Sequence, residues 1–221
     1  MKGLLIKDWK LMTNQKVYLL LAFFLPFLYL IVLNDGDTSF MVTYFTILAS
    51  MVGAGTITYD TYDNGAAYLF TLPVSRKGYV REKYVLVILI LAVTLTIMAV
   101  LSGLSAVVRN IDYKASESLV EMGVAVCLVT LLNALTIPLN LKFGAEKSKY
   151  VTVIGMGVVC LLVSALILWE GIYWFIDKLE KYEGLMAKAP VKGMAAELAG
   201  CAVVMAVSYV LSVRIMEKKE F

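Results

Sequence analysis

The sequence contains no histidine and only 17% charged residues, whereas 61% of its 221 residues are hydrophobic. Histidine is the usual general base, proton relay and metal ligand near neutral pH, so its absence excludes chemistry that depends on imidazole. Soluble domains contain about 45–50% apolar and about 25% charged residues. The composition therefore indicates a membrane protein rather than a soluble globular domain.

Cysteine is also scarce, and its three residues, Cys127, Cys160 and Cys201, each stand alone inside an apolar stretch. No pair has C-x-x-C or zinc-finger spacing, so the sequence predicts neither a metal site nor a disulfide framework. Buried packing is the expected role of such isolated thiols.

Sequence motifs for nucleotide binding and hydrolysis are missing as well. The nearest match to a phosphate-binding loop, Lys147-Ser148, follows Gly144 but lacks the second glycine that lets backbone amides wrap phosphate. We therefore expect the chain to be no enzyme and to hold no cofactor. The predicted spans also lack the paired carboxylates and cations of ion-coupled carriers, which disfavours that class. A pump with this sequence would take its energy from a partner.

Six apolar runs approach the length of about 20 residues that a helix needs to cross a bilayer. They cover residues 17–33, 38–59, 84–108, 122–141, 150–169 and 194–213. The predicted fold is thus an all-α polytopic membrane protein, with residues 1–221 forming one domain of six transmembrane helices.

The positions of the basic residues predict the orientation of these spans. With the N-terminus in the cytoplasm, the inner segments 1–16, 60–83, 142–149 and 214–221 hold 14 of the 20 Lys and Arg residues. Cytoplasmic loops carry the excess of Lys and Arg. Both termini are therefore predicted to be cytoplasmic.

Two segments outside the predicted spans are amphipathic. In the N-terminal segment the apolar residues Met1, Leu4, Leu5, Trp9 and Met12 recur at helical spacing, and Lys2, Lys7, Asp8 and Lys10 fall largely elsewhere. A basic amphipathic helix with tryptophan is typical of the membrane interface. A second such helix is predicted in the outer loop 170–193.

Neutral polar residues form a stripe along the fourth predicted span, at Thr130, Asn133, Thr136 and Asn140. Steps of three and four residues place them on one side of a helix, and Pro138 predicts a kink nearby. The stripe could line a substrate path. Alternatively, it could provide hydrogen bonds between helices, as such groups often do in lipid.

The inner loop 60–83 is too structured for a simple tether. A short apolar run, Ala66–Phe70, stops at Thr71-Leu72-Pro73, because proline and the residue before it disfavour helix interiors. A second short helix is predicted from Val74 to Tyr84, with Ser75 or Thr71 as its N-cap. The resulting helix–break–helix elbow could bind a protein partner, or its cations could contact anionic lipid.

The run Leu69-Phe70-Thr71-Leu72-Pro73-Val74-Ser75-Arg76-Lys77 resembles the loop between spans two and three of type-2 ABC exporter permeases. The run Lys142-Phe143-Gly144-Ala145-Glu146-Lys147 after Pro138, and the start Lys-Gly-Leu-Leu-Ile-Lys-Asp-Trp, are similar to those of the small six-span permeases of phenol-soluble modulin exporters.

This resemblance implies a coupling helix that docks on a separate P-loop ATPase subunit, which would carry ATP and Mg²⁺. The implied docking residues are Leu72, Pro73, Val74, Ser75, Arg76, Lys77, Tyr79 and Val80, with Phe143, Gly144, Ala145, Glu146 and Lys147 as a second contact.

The resemblance further implies a dimer of permeases in a bacterial cytoplasmic membrane that exports amphipathic peptides by alternating access. A membrane scaffold or immunity subunit that recruits a cytoplasmic partner is the alternative function. No nucleic acid partner is expected.

Overall fold

The computed structural model describes residues 2–14, 24, 39–62, 65–109, 115–168 and 190–219. Six helices cover nearly all of these ranges: α1 (Lys2–Asn14), α2 (Ser39–Thr61), α3 (Gly65–Leu69), α4 (Arg76–Arg109), α5 (Ala115–Leu168) and α6 (Pro190–Lys218). The described part of the chain contains no strand, and the predicted all-α fold is confirmed.

Four of these helices contain segments that are long and apolar enough to cross a membrane. The segments are Met41–Thr61, Arg76–Val107, Ser118–Gly144 and Gly193–Lys218, and they overlap the predicted spans 38–59, 84–108, 122–141 and 194–213. The predicted span 17–33 lies outside the described residues, apart from residue 24. The predicted span 150–169 coincides with the last part of α5. After Tyr150 the structure describes only the backbone of this part, as far as Leu168. The amphipathic helix predicted in loop 170–193 falls mostly outside the described ranges.

Helix α5 is interrupted at Gly144, where φ is 73° and ψ is −174°. This combination is accessible essentially only to glycine, because a Cβ atom would collide with the backbone. Pro138 keeps helical dihedral angles inside the same helix. The interruption of the helical backbone therefore falls at Gly144, six residues after Pro138, and the kink predicted near Pro138 stays a prediction.

The long helices pack side by side, with α2 against α4 and α5, and α6 against α4 and α5. At one end, called here the elbow end, α1 and α3 join them around a shared hydrophobic cluster. This cluster contains Leu4, Ile57, Leu69, Tyr79, Val80, Tyr84, Val87, Ile137, Leu141 and Met216. The elbow end is thus a region where every helix of the described chain contributes to one core.

Helix α1 departs from the predicted division into apolar and polar faces. Leu4 and Met12 are buried as expected, and Asp8, which lies between them on the helix, is completely buried as well. Trp9, by contrast, is 64% exposed. Residues 4, 8 and 12 share one helical face, so the face that packs on the protein carries a carboxylate. The reason for this departure is a charged partner on another helix, described below.

Candidate functional site

The elbow, defined here as residues 65–80, begins with the short helix α3 and ends in the first turn of α4. Between them the chain turns, with hydrogen bonds from the Thr71 amide to the Tyr68 carbonyl (3.1 Å) and from the Val74 amide to the Leu72 carbonyl (2.6 Å). The Ser75 hydroxyl oxygen accepts a hydrogen bond from the Gly78 amide at 3.1 Å. Ser75 is therefore the N-cap of α4, which was one of the two predicted alternatives, Ser75 or Thr71.

The helix that was predicted as a separate unit from Val74 to Tyr84 is the first part of α4, which continues without interruption to Arg109. No proline stands within this stretch, and Gly78 keeps a helical conformation, so nothing ends the helix before the membrane-spanning part. A displacement of the elbow would therefore be carried directly into a 34-residue helix.

Two of the predicted docking residues, Tyr79 and Val80, are 2% and 0% exposed and belong to the core of this chain. The Tyr79 hydroxyl donates a hydrogen bond to Asp60 Oδ2 at 2.9 Å. Its ring packs edge-on against Phe70, with 5.7 Å between the centroids. Both side chains therefore pack inside this chain, and their role as contacts with a partner stays a prediction.

A buried network of charges lies directly below the elbow. Lys83 Nζ pairs with Asp8 Oδ2 of α1 and lies 2.8 Å from Asp60 Oδ2 at the end of α2. It also donates to the Thr56 hydroxyl at 3.1 Å, and stands 5.2 Å from the centre of the Tyr79 ring. Opposite charges and several hydrogen bonds are what a buried ammonium group requires. The network fixes α1, α2 and α4 to one another.

Lys7 closes the network on its outer side. Its ammonium group pairs with Asp60 Oδ1 and lies 3.2 Å from Asp8 Oδ1. Partial burial disfavours the charge on Lys7, but the hydrogen bond and the attraction from Asp60 outweigh it and raise the pKa of Lys7. Lys7 therefore stays protonated, and two lysines share two carboxylates.

Glu82 is the one member of this region whose carboxylate has no hydrogen bond among the described residues. Its side chain is completely buried and its Oε2 lies 3.8 Å from Lys83 Nζ. Sequence reasoning missed the charged cluster as a whole. The available signal was that Asp60 follows one predicted span and Lys83 precedes the next, which places opposite charges at the same membrane depth.

The first residue of α4 joins the elbow to the C-terminal end of α6. Arg76 Nη1 donates to the carbonyl oxygens of Met216 (3.2 Å) and Glu217 (2.8 Å). These are among the last carbonyls of α6, which lack partners within their own helix. Lys77 adds an ion pair with Glu217 at 3.2 Å, at the exposed surface. A cation at a helix C-terminus also interacts favourably with the helix dipole.

Lys219, just after α6, reaches the predicted second inner loop. Its Nζ donates to the Leu141 carbonyl at 2.7 Å, three residues before the interruption at Gly144. Burial lowers the pKa of Lys219. In the predicted loop itself Phe143 and Lys147 are exposed, and Lys142 lies over the Phe143 ring at 5.2 Å. The side chains of Ala145 and Glu146 lie outside the described part.

The rest of the elbow presents an exposed surface. Leu72 is 45% exposed and the Lys77 side chain 70% exposed, and Pro73 and Ser75 are also exposed. Val74 is half-buried against the core cluster. The surface of the elbow thus combines an apolar tip with a cation, while its underside is fixed by Tyr79, Arg76 and the network around Lys83.

The polar stripe of α5 makes hydrogen bonds to the neighbouring helix α2. Asn133 Nδ2 donates to the Ser50 hydroxyl, and Asn140 Nδ2 donates to the Ala54 carbonyl at 3.5 Å. Thr136 bonds to the Leu132 carbonyl of its own helix, and Thr130 is buried. These contacts are those of the packing alternative, and a substrate path along the stripe stays a prediction.

Two of the three cysteines meet between α5 and α6, with 3.9 Å between the sulfur atoms of Cys127 and Cys201. Both are free thiols. The side chain of Cys160 lies outside the described residues. Among the residues that the structure describes, no cluster of acidic and cysteine side chains has the geometry of a metal site.

These features define a polytopic helical membrane protein with a rigidly supported elbow at one end of its helices. The sequence model of the family described as ABC-2 family transporter protein matches residues 3–217. The chain therefore belongs to this family and is a permease component of an ABC transporter, which implies a membrane location and an ATPase partner. Comparisons with curated proteins and with solved structures gave no match.

Proposed function

We propose that this permease is the membrane subunit of an exporter and that the exposed face of the elbow is the docking site for its ATPase. The observation that supports the proposal is the contrast between the two faces of the elbow. Leu72 and Lys77 face outward, whereas Tyr79 is hydrogen-bonded to Asp60 inside the chain. A surface that is firmly held from below can transmit a displacement from a partner to the helices.

ATP hydrolysis is assigned to the partner in this proposal, because the chain contains no phosphate-binding loop. Closure of the ATPase subunits would push the elbow and the segment around Phe143, and the membrane helices would rearrange by alternating access. Two permease copies would form the complex, in a bacterial cytoplasmic membrane with both termini inside.

The proposed cargo class is amphipathic peptide. It follows from the resemblance of residues 69–77 and 142–147 to the small permeases of phenol-soluble modulin exporters.

Docking is tested by co-purification with the ATPase from the same operon or genome, using Leu72→Asp. An apolar anchor in a partner pocket is worth upwards of about 2 kcal/mol, so the variant should lower the yield of complex at least tenfold. Tyr62→Asp is the matched control, because Tyr62 is 63% exposed and lies before the elbow, outside the proposed surface. Lys77→Ala should mainly change the salt dependence of binding, as expected for a rim cation.

Unchanged complex formation by Leu72→Asp would place the docking site elsewhere and favour an elbow that contacts lipid. Complex formation with no ATP-dependent export of any amphipathic peptide would favour the scaffold or immunity function.

Orientation is tested with single cysteines in a cysteine-free background. A membrane-impermeant thiol reagent on intact cells should label Asp112→Cys and not Lys77→Cys, and the reverse pattern would invert the proposed topology.

A further inference from the structure

We propose that the C-terminal segment, residues 216–219, is the element that transmits movement of the elbow to helix α5. It would do so through two side chains, Arg76 and Lys219, which therefore act as positioning residues and not as contacts with the ATPase. The inference rests on the proposed function for the source of the movement. The mechanical link itself is a property of this chain alone.

The first half of the link is the bond between Arg76 and the end of α6. One guanidinium nitrogen bonds two successive carbonyl oxygens, of Met216 at 3.2 Å and of Glu217 at 2.8 Å. Hydrogen bonds from a charged donor are stronger than neutral ones. Met216 is also 3% exposed and part of the core cluster that contains Tyr79 and Val80. Movement of the elbow would therefore displace the end of α6 with it.

The second half of the link is the bond from Lys219 to the Leu141 carbonyl, at 2.7 Å. Leu141 lies in the last turn before Gly144, where the backbone of α5 leaves the helical conformation. Carbonyls in the last turn of a helix need partners from elsewhere, and here a lysine from the chain terminus supplies one. Lys219 therefore fixes the end of the first part of α5 to the end of α6.

Together the two bonds connect the elbow with the segment that begins at Phe143. The two regions belong to different inner loops of the sequence, and their helices, α3 and α5, also meet in the core cluster through Leu69 and Leu141. With the link intact, an ATPase that moves only the elbow would also move the end of α5. Without it, the same push would reach the end of α5 only through the packing of the core cluster.

The link is tested by measuring the distance between two spin labels, at Tyr68→Cys on the elbow and Lys142→Cys at the end of α5, after replacement of Cys127, Cys160 and Cys201 by alanine. Both labelled side chains are exposed. In the permease alone, Arg76→Ala and Lys219→Ala should each broaden the distance distribution. Arg81→Ala and Lys218→Ala, which remove exposed cations close to each site, should leave it unchanged.

Transmission is tested in the complex with the ATPase, by comparing the nucleotide-free state with the state trapped by ATP and vanadate. The distance between a label at Lys142→Cys and a second label, on the other permease copy or on the ATPase, should change on trapping. Arg76→Ala and Lys219→Ala should abolish this shift and leave the yield of complex unchanged.

The two hypotheses fail in different ways. If the label at position 142 still shifts on trapping in both variants, the transmission role is overturned although docking stands. A narrow distance distribution in both variants would overturn the link itself. If the ATPase does not bind at the elbow but Arg76→Ala and Lys219→Ala broaden the distribution, the proposed docking surface is wrong and the link remains.

Discussion

Lys83 and Asp8 form an ion pair in which both side chains are almost completely buried, although 75 residues separate them along the chain. Asp60 and Thr56 complete the surroundings of the Lys83 ammonium group. This arrangement explains why a short polar helix at the N-terminus is held tightly against the elbow end. It also makes the support of the elbow sensitive to single charges.

Lys83→Met should lower the free energy of unfolding by about 3–5 kcal/mol, because it leaves Asp8 and Asp60 buried with Lys7 as their shared cation. Asp8→Leu should cost less, since Lys83 keeps Asp60. The double variant should be more stable than the sum of the two losses predicts. SDS titration of the purified protein in mixed micelles measures these differences.

Arg81→Met is the control for this series, because Arg81 is exposed two residues before Lys83. It should leave the unfolding midpoint unchanged. Strictly additive losses for Asp8→Leu and Lys83→Met would show that the two charges do not interact in the folded protein.

Tyr79→Phe should reduce stability by about 1.5–3 kcal/mol, the range for a buried hydrogen bond to a charged group. The ring that packs on Phe70 is retained, so the loss reports the bond to Asp60. Unfolding and ATPase co-purification would be measured on the same preparations. Loss of ATPase binding without loss of stability would support Tyr79 as a contact with the ATPase.

Gly144→Ala should be destabilising by about 1–3 kcal/mol, because the dihedral angles at this residue are accessible essentially only to glycine. The effect would come from the local backbone alone, since beyond that backbone nothing lies within 4 Å of a Cβ atom built at this site. Gly103→Ala is the matched control, with equally open space but a helical conformation. That control should be neutral or slightly stabilising in a thermal unfolding assay.

Asn133→Leu should lower thermal stability by about 0.5–1.5 kcal/mol, because it removes the hydrogen bond between α5 and α2. Ser50→Ala should have a similar effect, and the two together should cost less than their sum. Unchanged stability of Asn133→Leu, combined with altered peptide-stimulated ATPase activity of the complex, would instead support a substrate path along the stripe.

The membrane-spanning helices were predictable because length and composition determine them. About 20 apolar residues without charge have few alternatives to a transmembrane helix. The cap at Ser75 was also predictable as one of two alternatives, since Pro73 ends the preceding run and a hydroxyl residue follows. In both cases the determining information lies within a few residues of the element.

The burial of Asp8 and Tyr79 was not predictable in this way. Helical spacing placed Asp8 with the polar residues of α1, and only Lys83, on a distant helix, makes its burial favourable. Tyr79 was named as a docking residue only by the resemblance to type-2 ABC exporter permeases. Its place in the core depends on Asp60, which lies 19 residues earlier across the elbow. Pairings of this kind are set by tertiary packing and leave no local pattern.

The distance between Asp8 and Lys83 along the chain also constrains how the protein is made. Asp8 leaves the ribosome 75 residues before Lys83 does. Until then the nascent chain offers it Lys7 but not the buried ammonium group, and moving a carboxylate out of water without such a partner costs several kcal/mol. The N-terminal helix therefore reaches its final position only after α4 has begun to emerge, and in a chain that stops before residue 83 the Asp8 carboxylate has no buried ammonium group to pair with.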